Sequence, residues 1–172
     1  MGTTANGIEI KLISELDLEK NKQNLIELLV ENYNINFPNR NDLREYALNN
    51  YKDMVRFKKD NSAILIGAFD DWRIVGFIWA YEREFLGEKR IHLGHIIVNS
   101  SIRAKGVGSS LLDKLEIITQ QKEIYKIELM TSVDNENTMK FYKSKGFNIV
   151  RAQLEKKLGE SDDNRKSGNK EG

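Results

Sequence analysis

Arg103-Ala104-Lys105-Gly106-Val107-Gly108 places two cations and two glycines within six residues. Ahead of it, Ile91 to Val98 is apolar and rich in β-branched residues, and Asn99-Ser100-Ser101 then breaks the run, the pattern of a buried strand ending in a turn. Behind it, Val107, Leu111, Leu112, Leu115 and Ile118 recur at the three- and four-residue spacing of one helical face. A strand that passes into a helix through glycine offers unpaired N–H groups and the positive end of the helix dipole, which together attract an anion. Glycine also lets the backbone approach a ligand with no Cβ in the way. Phosphate is the expected anion. A P-loop would need Lys-Ser or Lys-Thr after the glycines, and neither is present. A dinucleotide fingerprint would need a third glycine where Leu111 stands.

Proton-transfer chemistry has few candidates. The chain holds two histidines, His92 and His95, both within the apolar strand, and no cysteine. An imidazole near its ordinary pKa of about 6.5 can accept a proton at neutral pH. Strand alternation sends His92 and His95 to opposite faces unless a bulge intervenes, and gives His92 the parity of Val98. Glu82 and Glu84 are the carboxylate alternatives. Without cysteine, disulfides, thiolate metal sites and a catalytic thiol are excluded, and no metal site is expected.

The elements that must position these residues are legible along the 172-residue chain. Ile8 to Leu16 alternates as a first strand, and Asp17 is placed to cap a helix running to about Glu31. Asn41 or Asp42 caps a second helix to about Lys59. Ala63–Phe69 and Arg73–Tyr81 form a hairpin around Asp70-Asp71-Trp72, and Glu82–Arg90 is a polar connection into the central strand. Tyr125–Thr131 is a further strand, parallel to the central one. Asn137–Lys145 is a last helix closed by Gly146, and Phe147 to about Lys156 a last strand. The order β-α-α-β-β-β-α-β-α-β makes an α/β (α+β) mixed sheet, one domain over 1–158. Residues 159–172 contain no apolar residue and are expected to be a disordered polar tail.

Composition narrows the partners. A net charge of +1 gives no reason to expect nucleic acid or an anionic membrane surface as partner. The N-terminus lacks the pattern of a signal peptide, and no apolar run approaches the roughly 18 residues of a membrane span, so a cytoplasmic protein is expected. Apolar strand edges near the last strand are compatible with a homodimer.

The Arg-x-x-Gly-x-Gly turn after a strand ending in valine resembles the pyrophosphate-binding turn of the GNAT superfamily of acetyl-CoA-dependent N-acetyltransferases. A second segment, Asn135 to Phe147, is similar to another part of that family's pattern, with Asn137, Phe141-Tyr142 and Gly146-Phe147 in register and Lys140 where a small residue is commoner. The resemblance implies that backbone N–H groups from Arg103, Ala104, Lys105, Gly106, Val107, Gly108 and Ser109 hold the pyrophosphate of acetyl-CoA, aided by the Arg103 and Lys105 side chains. It implies that the central strand parts from its neighbour, freeing backbone groups at Ile96, Ile97 and Val98 for the pantetheine arm, with the Val98 N–H facing the thioester oxygen. Asn137 would reach the cofactor, and Tyr142, which by helical spacing alone would be a core aromatic, would act as general acid. His92 is the favoured general base. The implied activity is acetyl transfer to a primary amine of unspecified identity, bound between the first two helices and the hairpin. A non-catalytic acyl-CoA-binding module of the same fold is the other reading the resemblance leaves open, and a generic nucleotide-binding domain a more distant one.

Overall fold

The computed structural model describes residues 2–3, 7–103 and 106–156. They form two compact units that divide between Asp134 and Asn135. Ala104, Lys105 and the polar tail lie outside the described residues.

The first unit is a mixed sheet clasped by helices. In chain order it comprises β1 (Gly2–Thr3), β2 (Glu9–Leu12), α1 (Glu15–Lys20), α2 (Lys22–Asn36), α3 (Leu43–Lys59), β3 (Ile64–Asp70), β4 (Arg73–Phe85), β5 (Glu88–Val98), α4 (Val107–Gln121) and β6 (Ile127–Leu129). The strands lie in sequence order across the sheet. Every neighbouring pair is antiparallel except β5 and β6, which are parallel across the α4 crossover.

The two faces of the sheet are covered differently. Leu65, Phe69, Phe77, Trp79 and Ile97 point to one face and form a single core with Leu18, Leu25, Leu29, Ala47 and Met54 of α1, α2 and α3. The alternate positions Ile10, Ile66, Ala68, Ile78, Ala80 and Leu93 are equally buried on the other face. There α4 lies against β2 to β5 with Leu111, Leu112 and Leu115 buried.

Several boundaries differ from those read in the sequence. The first helical stretch is two helices divided at Asn21, and it starts earlier than Asp17 because Ser14 is the cap: its hydroxyl accepts from the Asp17 N–H, and the Asp17 carboxylate accepts from the Ser14 N–H, a reciprocal capping box. The chain then kinks at the buried Asn21, whose side chain is committed to the Trp72 carbonyl and the Ile74 N–H of the hairpin. The polar connection after the hairpin is mostly strand, since β4 and β5 stay paired out to Phe85 and Glu88.

The second unit holds α5 (Glu136–Ser144). Asn135 caps its start by accepting from the Thr138 N–H. Gly146, at φ +83°, ends it in a Schellman motif: the Phe147 N–H bonds the Tyr142 carbonyl and the Gly146 N–H the Lys143 carbonyl. The expected strand from Phe147 to Lys156 is absent, and those residues carry no regular structure.

Candidate active site

Where β5 meets β6, the pairing stops early. Only Ile91, His92 and Leu93 have partners on β6, namely Ile127, Glu128 and Leu129. β5 nevertheless continues to Val98 along β4. The Asn99 N–H bonds the Val75 carbonyl at 2.9 Å. Antiparallel hydrogen-bonded pairs recur every second residue, so Phe77–Ile97 and Trp79–His95 are the bonded pairs beside it. The backbone groups of Ile96 and Val98 therefore face away from β4, toward the edge that β6 has left. The Val98 carbonyl on that edge accepts from the Arg103 Nε at 3.1 Å. Ile97 does not belong among the freed backbone groups: its N–H and C=O turn toward β4, and its side chain is core.

Gly76 makes the close approach of β4 to this end of β5 possible. A Cβ there would lie 2.9 Å from the Ile97 carbonyl oxygen and 3.3 Å from the Val98 Cα.

Gly106 sits at φ +79°, left-handed backbone that suits glycine, and its carbonyl takes the first helical bond of α4, from the Ser110 N–H at 3.0 Å. The N–H groups of Val107, Gly108 and Ser109 precede that bond and have no helical acceptor. No side chain caps this end, and no carboxylate stands in the first turn to compete for the positive end of the dipole. The Arg103 guanidinium is already engaged, with its Nε on the Val98 carbonyl and an ion pair at 3.3 Å to Glu31 of α2. Glu31 also accepts from the Ser100 N–H at 3.0 Å. Sequence reading missed Glu31, because a carboxylate about 70 positions away leaves no local signal.

The histidines are not on opposite faces. Register slips between Trp79 and Ala80, so that Trp79 opposes His95 while Ala80 opposes Leu93. Gly94 is the extra residue of a β-bulge. His92 opposes Tyr81 and His95 opposes Trp79, which brings both rings to the α2–α3 face and away from the face of Val98. The ring contacts agree: Tyr81–His92 at 5.0 Å and Trp79–His95 at 5.7 Å between centroids. Glu82 and Glu84 take the other parity, and Glu82 is paired with Lys89 and with Lys122 near the end of the α4 crossover.

The two imidazoles meet different surroundings. His95 is ringed by Tyr33 and Trp79, its Nε2 lies 3.4 Å from the Asn50 Oδ1, and burial pushes its pKa down to about 4. Phe37 packs at a tilt against Tyr33 and is half exposed, continuing the aromatic surface outward from His95. The Trp79 indole N–H is buried among these rings and has no partner among the described residues. His92 instead lies 3.4 Å, Nδ1 to Oε1, from Glu128. Glu128 also pairs with Arg83 at 3.1 Å and Arg90 at 3.0 Å. Burial raises the Glu128 carboxyl, but hydrogen bonds from Arg90 and His92 and the charges of both arginines outweigh it and hold the pKa below the ordinary value.

Within the second unit Tyr142 is buried, in edge contact with Phe141 and Phe147 at 5.3 and 5.4 Å. Burial pushes its hydroxyl up to about 12, so it stays protonated at neutral pH. Asn137 lies in the first turn of α5, and the capping role belongs to Asn135. Among the described residues no group of acidic or histidine side chains is arranged to hold a metal ion, and no helix is long and apolar enough to cross a membrane.

Comparison with known proteins bears on the family and the fold. Residues 23–147 match the model of the Acetyltransferase (GNAT) family. The uncharacterized protein YxbD of Bacillus subtilis (strain 168) is 34% identical over 82 residues, which is 48% of each chain. The chain thus spans about half the length of that curated relative. Among solved structures, the PaiA N-acetyltransferase of Thermoplasma acidophilum in complex with coenzyme A superposes with a TM-score of 0.72 at 22% identity, over 85% of this chain and 92% of its own. An aminoglycoside acetyltransferase, HMB0005, from an uncultured soil metagenomic sample superposes with a TM-score of 0.69 at 18% identity, over 88% and 99%. At these identities the two structures bear on the fold.

Proposed function

This chain belongs to the GNAT acetyltransferase family, and from that premise we propose that it moves an acetyl group from acetyl-CoA to a primary amine by direct attack in a ternary complex. The observation that carries the reading is the end of β5. The outward-facing backbone groups of Ile96 and the Val98 N–H stand where β6 has parted, and beyond them come the N–H groups of Val107, Gly108 and Ser109, which have no acceptor within the helix. The first set suits the amide-bearing arm of a pantetheine, and the second suits a diphosphate. The coenzyme A seen in the PaiA N-acetyltransferase structure supports the same donor here.

The roles follow from chemistry. The Val98 N–H polarises the thioester carbonyl. His92 takes a proton from the ammonium form of the acceptor, and the freed nitrogen bonds to the acyl carbon as the C–S bond breaks. Tyr142 hands its proton to the departing sulfur and recovers one from the new amide nitrogen. With a pKa of about 12, its proton moves only as negative charge builds on sulfur. No cysteine exists to form an acyl-enzyme. Arg103 acts by fixing the turn through Val98 and Glu31, and Asn137 is kept as a cofactor contact on the strength of the resemblance. The acceptor lies over the aromatic surface of Phe37, Tyr33, His95 and Tyr81.

The test is acetyl-CoA consumption across a panel of primary amines, with the Tyr142→Phe variant alongside. Turnover with at least one amine, cut about 100-fold in the variant while coenzyme A binding holds, is the expected result. Coenzyme A binding with no turnover on any amine would favour a non-catalytic acyl-CoA-binding module.

A further inference from the structure

We infer that Glu128 is a positioning residue for His92, holding its proton on Nδ1 so that Nε2 presents a lone pair to the acceptor amine. The inference rests on the reading of His92 as general base and adds a residue that no motif marks. Three observations carry it. The parallel register of β5 and β6 sets His92 directly opposite Glu128, one residue before the strands part, so the pair stands at the mouth of the fork. The only hydrogen-bond partner of the His92 ring among the described residues is Glu128, through Nδ1 at 3.4 Å, a long bond of the kind that tightens when an acid–base site is occupied. Glu128 is in turn clamped by Arg83 on Oε1 and Arg90 on Oε2, which keeps it an anion and fixes its plane.

A carboxylate that accepts from one imidazole nitrogen selects the tautomer and stabilises the imidazolium formed when the other nitrogen takes a proton. The Tyr81 ring, 5.0 Å away, packs against the imidazole. The charged and titratable groups facing His92 are Tyr81 and Arg83 of β4, Arg90 of β5 and Glu128 of β6. Among the described residues no ion pair or hydrogen bond reaches it from α2, α3 or α4. Arg83 and His92 share the same carboxylate oxygen, so the arginine competes with the imidazole as well as anchoring its partner.

The test combines nitrogen NMR of the imidazole with steady-state kinetics in the full chain. In the wild type the neutral His92 ring should be the Nδ1–H tautomer. Glu128→Gln should mix the two tautomers and lower kcat about tenfold, with KM for acetyl-CoA unchanged. Arg83→Gln, which leaves Oε1 of Glu128 to the imidazole, should keep the Nδ1–H tautomer and at least the wild-type kcat, and it stands as the independent check should Glu128→Gln fold poorly. A tautomer and a kcat that are both unchanged in Glu128→Gln, or a tautomer lost in Arg83→Gln, overturn the role of Glu128 alone. A tautomer that changes while kcat stays put overturns His92 as the base, and the inference with it.

Discussion

The two edges of β5 are held in opposite ways. Along β4 it is paired from Glu88 to Val98 with only Gly94 bulged out, closely enough that a Cβ at position 76 would meet the Ile97 carbonyl, and the side chains there are dry: Trp79, Phe57, Tyr33 and a neutral His95. Along β6 it is paired for three residues, ringed by charge at Glu128, Arg83 and Arg90, and then left open. A strand that must present its own backbone to a ligand needs one edge free, and the other edge must then bear the whole task of holding it. His92 and His95, three residues apart on one face, sample the two regimes.

The largest contrast should appear in turnover. His92→Gln should reduce kcat/KM about 100-fold, whereas His95→Gln should reduce it less than about tenfold, measured by thiol release with the best acceptor. The reverse order would move the base to the dry edge.

Stability against pH separates the edges next. The folded protein holds His95 neutral down to about 4, while the unfolded chain takes up the proton below about 6.5. The unfolded state therefore binds more protons across that window, and stability falls as the pH drops through it. Between pH 7 and pH 5 about 1.5 units of that window are crossed, so urea denaturation should show a loss of about 2 kcal/mol that His95→Gln largely removes. An equally steep loss in the variant would place its origin elsewhere.

Two substitutions probe the tight edge itself. Gly76→Ala should cost about 1–2 kcal/mol in urea denaturation, because the new methyl meets the Ile97 carbonyl rather than a yielding side chain. It should also lower turnover, by displacing Val98. Trp79→Phe should change stability by less than about 1 kcal/mol, since the lost apolar contact is offset by removal of a buried N–H that has no partner. A loss of 3 kcal/mol or more, the scale of a Trp→Ala core truncation, would show that the indole nitrogen is satisfied.

Local pattern determined much of this protein. The apolar run at 91–98, the glycines at 106 and 108 and the three–four spacing beyond them specify a strand and a glycine-led helix, because each depends only on neighbours in the chain. Gly146 as a left-handed stop is of the same kind, and so is the aromatic pair Phe141-Tyr142. Tertiary structure decided what depends on partners far along the sequence. The bulge at Gly94 turned His95 onto the face of His92, and a one-residue register change between two strands leaves no mark in the periodicity of either. Glu31 and Glu128 acquire their roles from α2 and β6 lying beside β5, which no spacing announces. Asn21 interrupts a helix to serve the hairpin some 50 positions on, and Phe147 to Lys156, patterned for a strand, adopts none. Periodicity tells a residue which face it prefers; only the folded register decides what stands on that face to meet it.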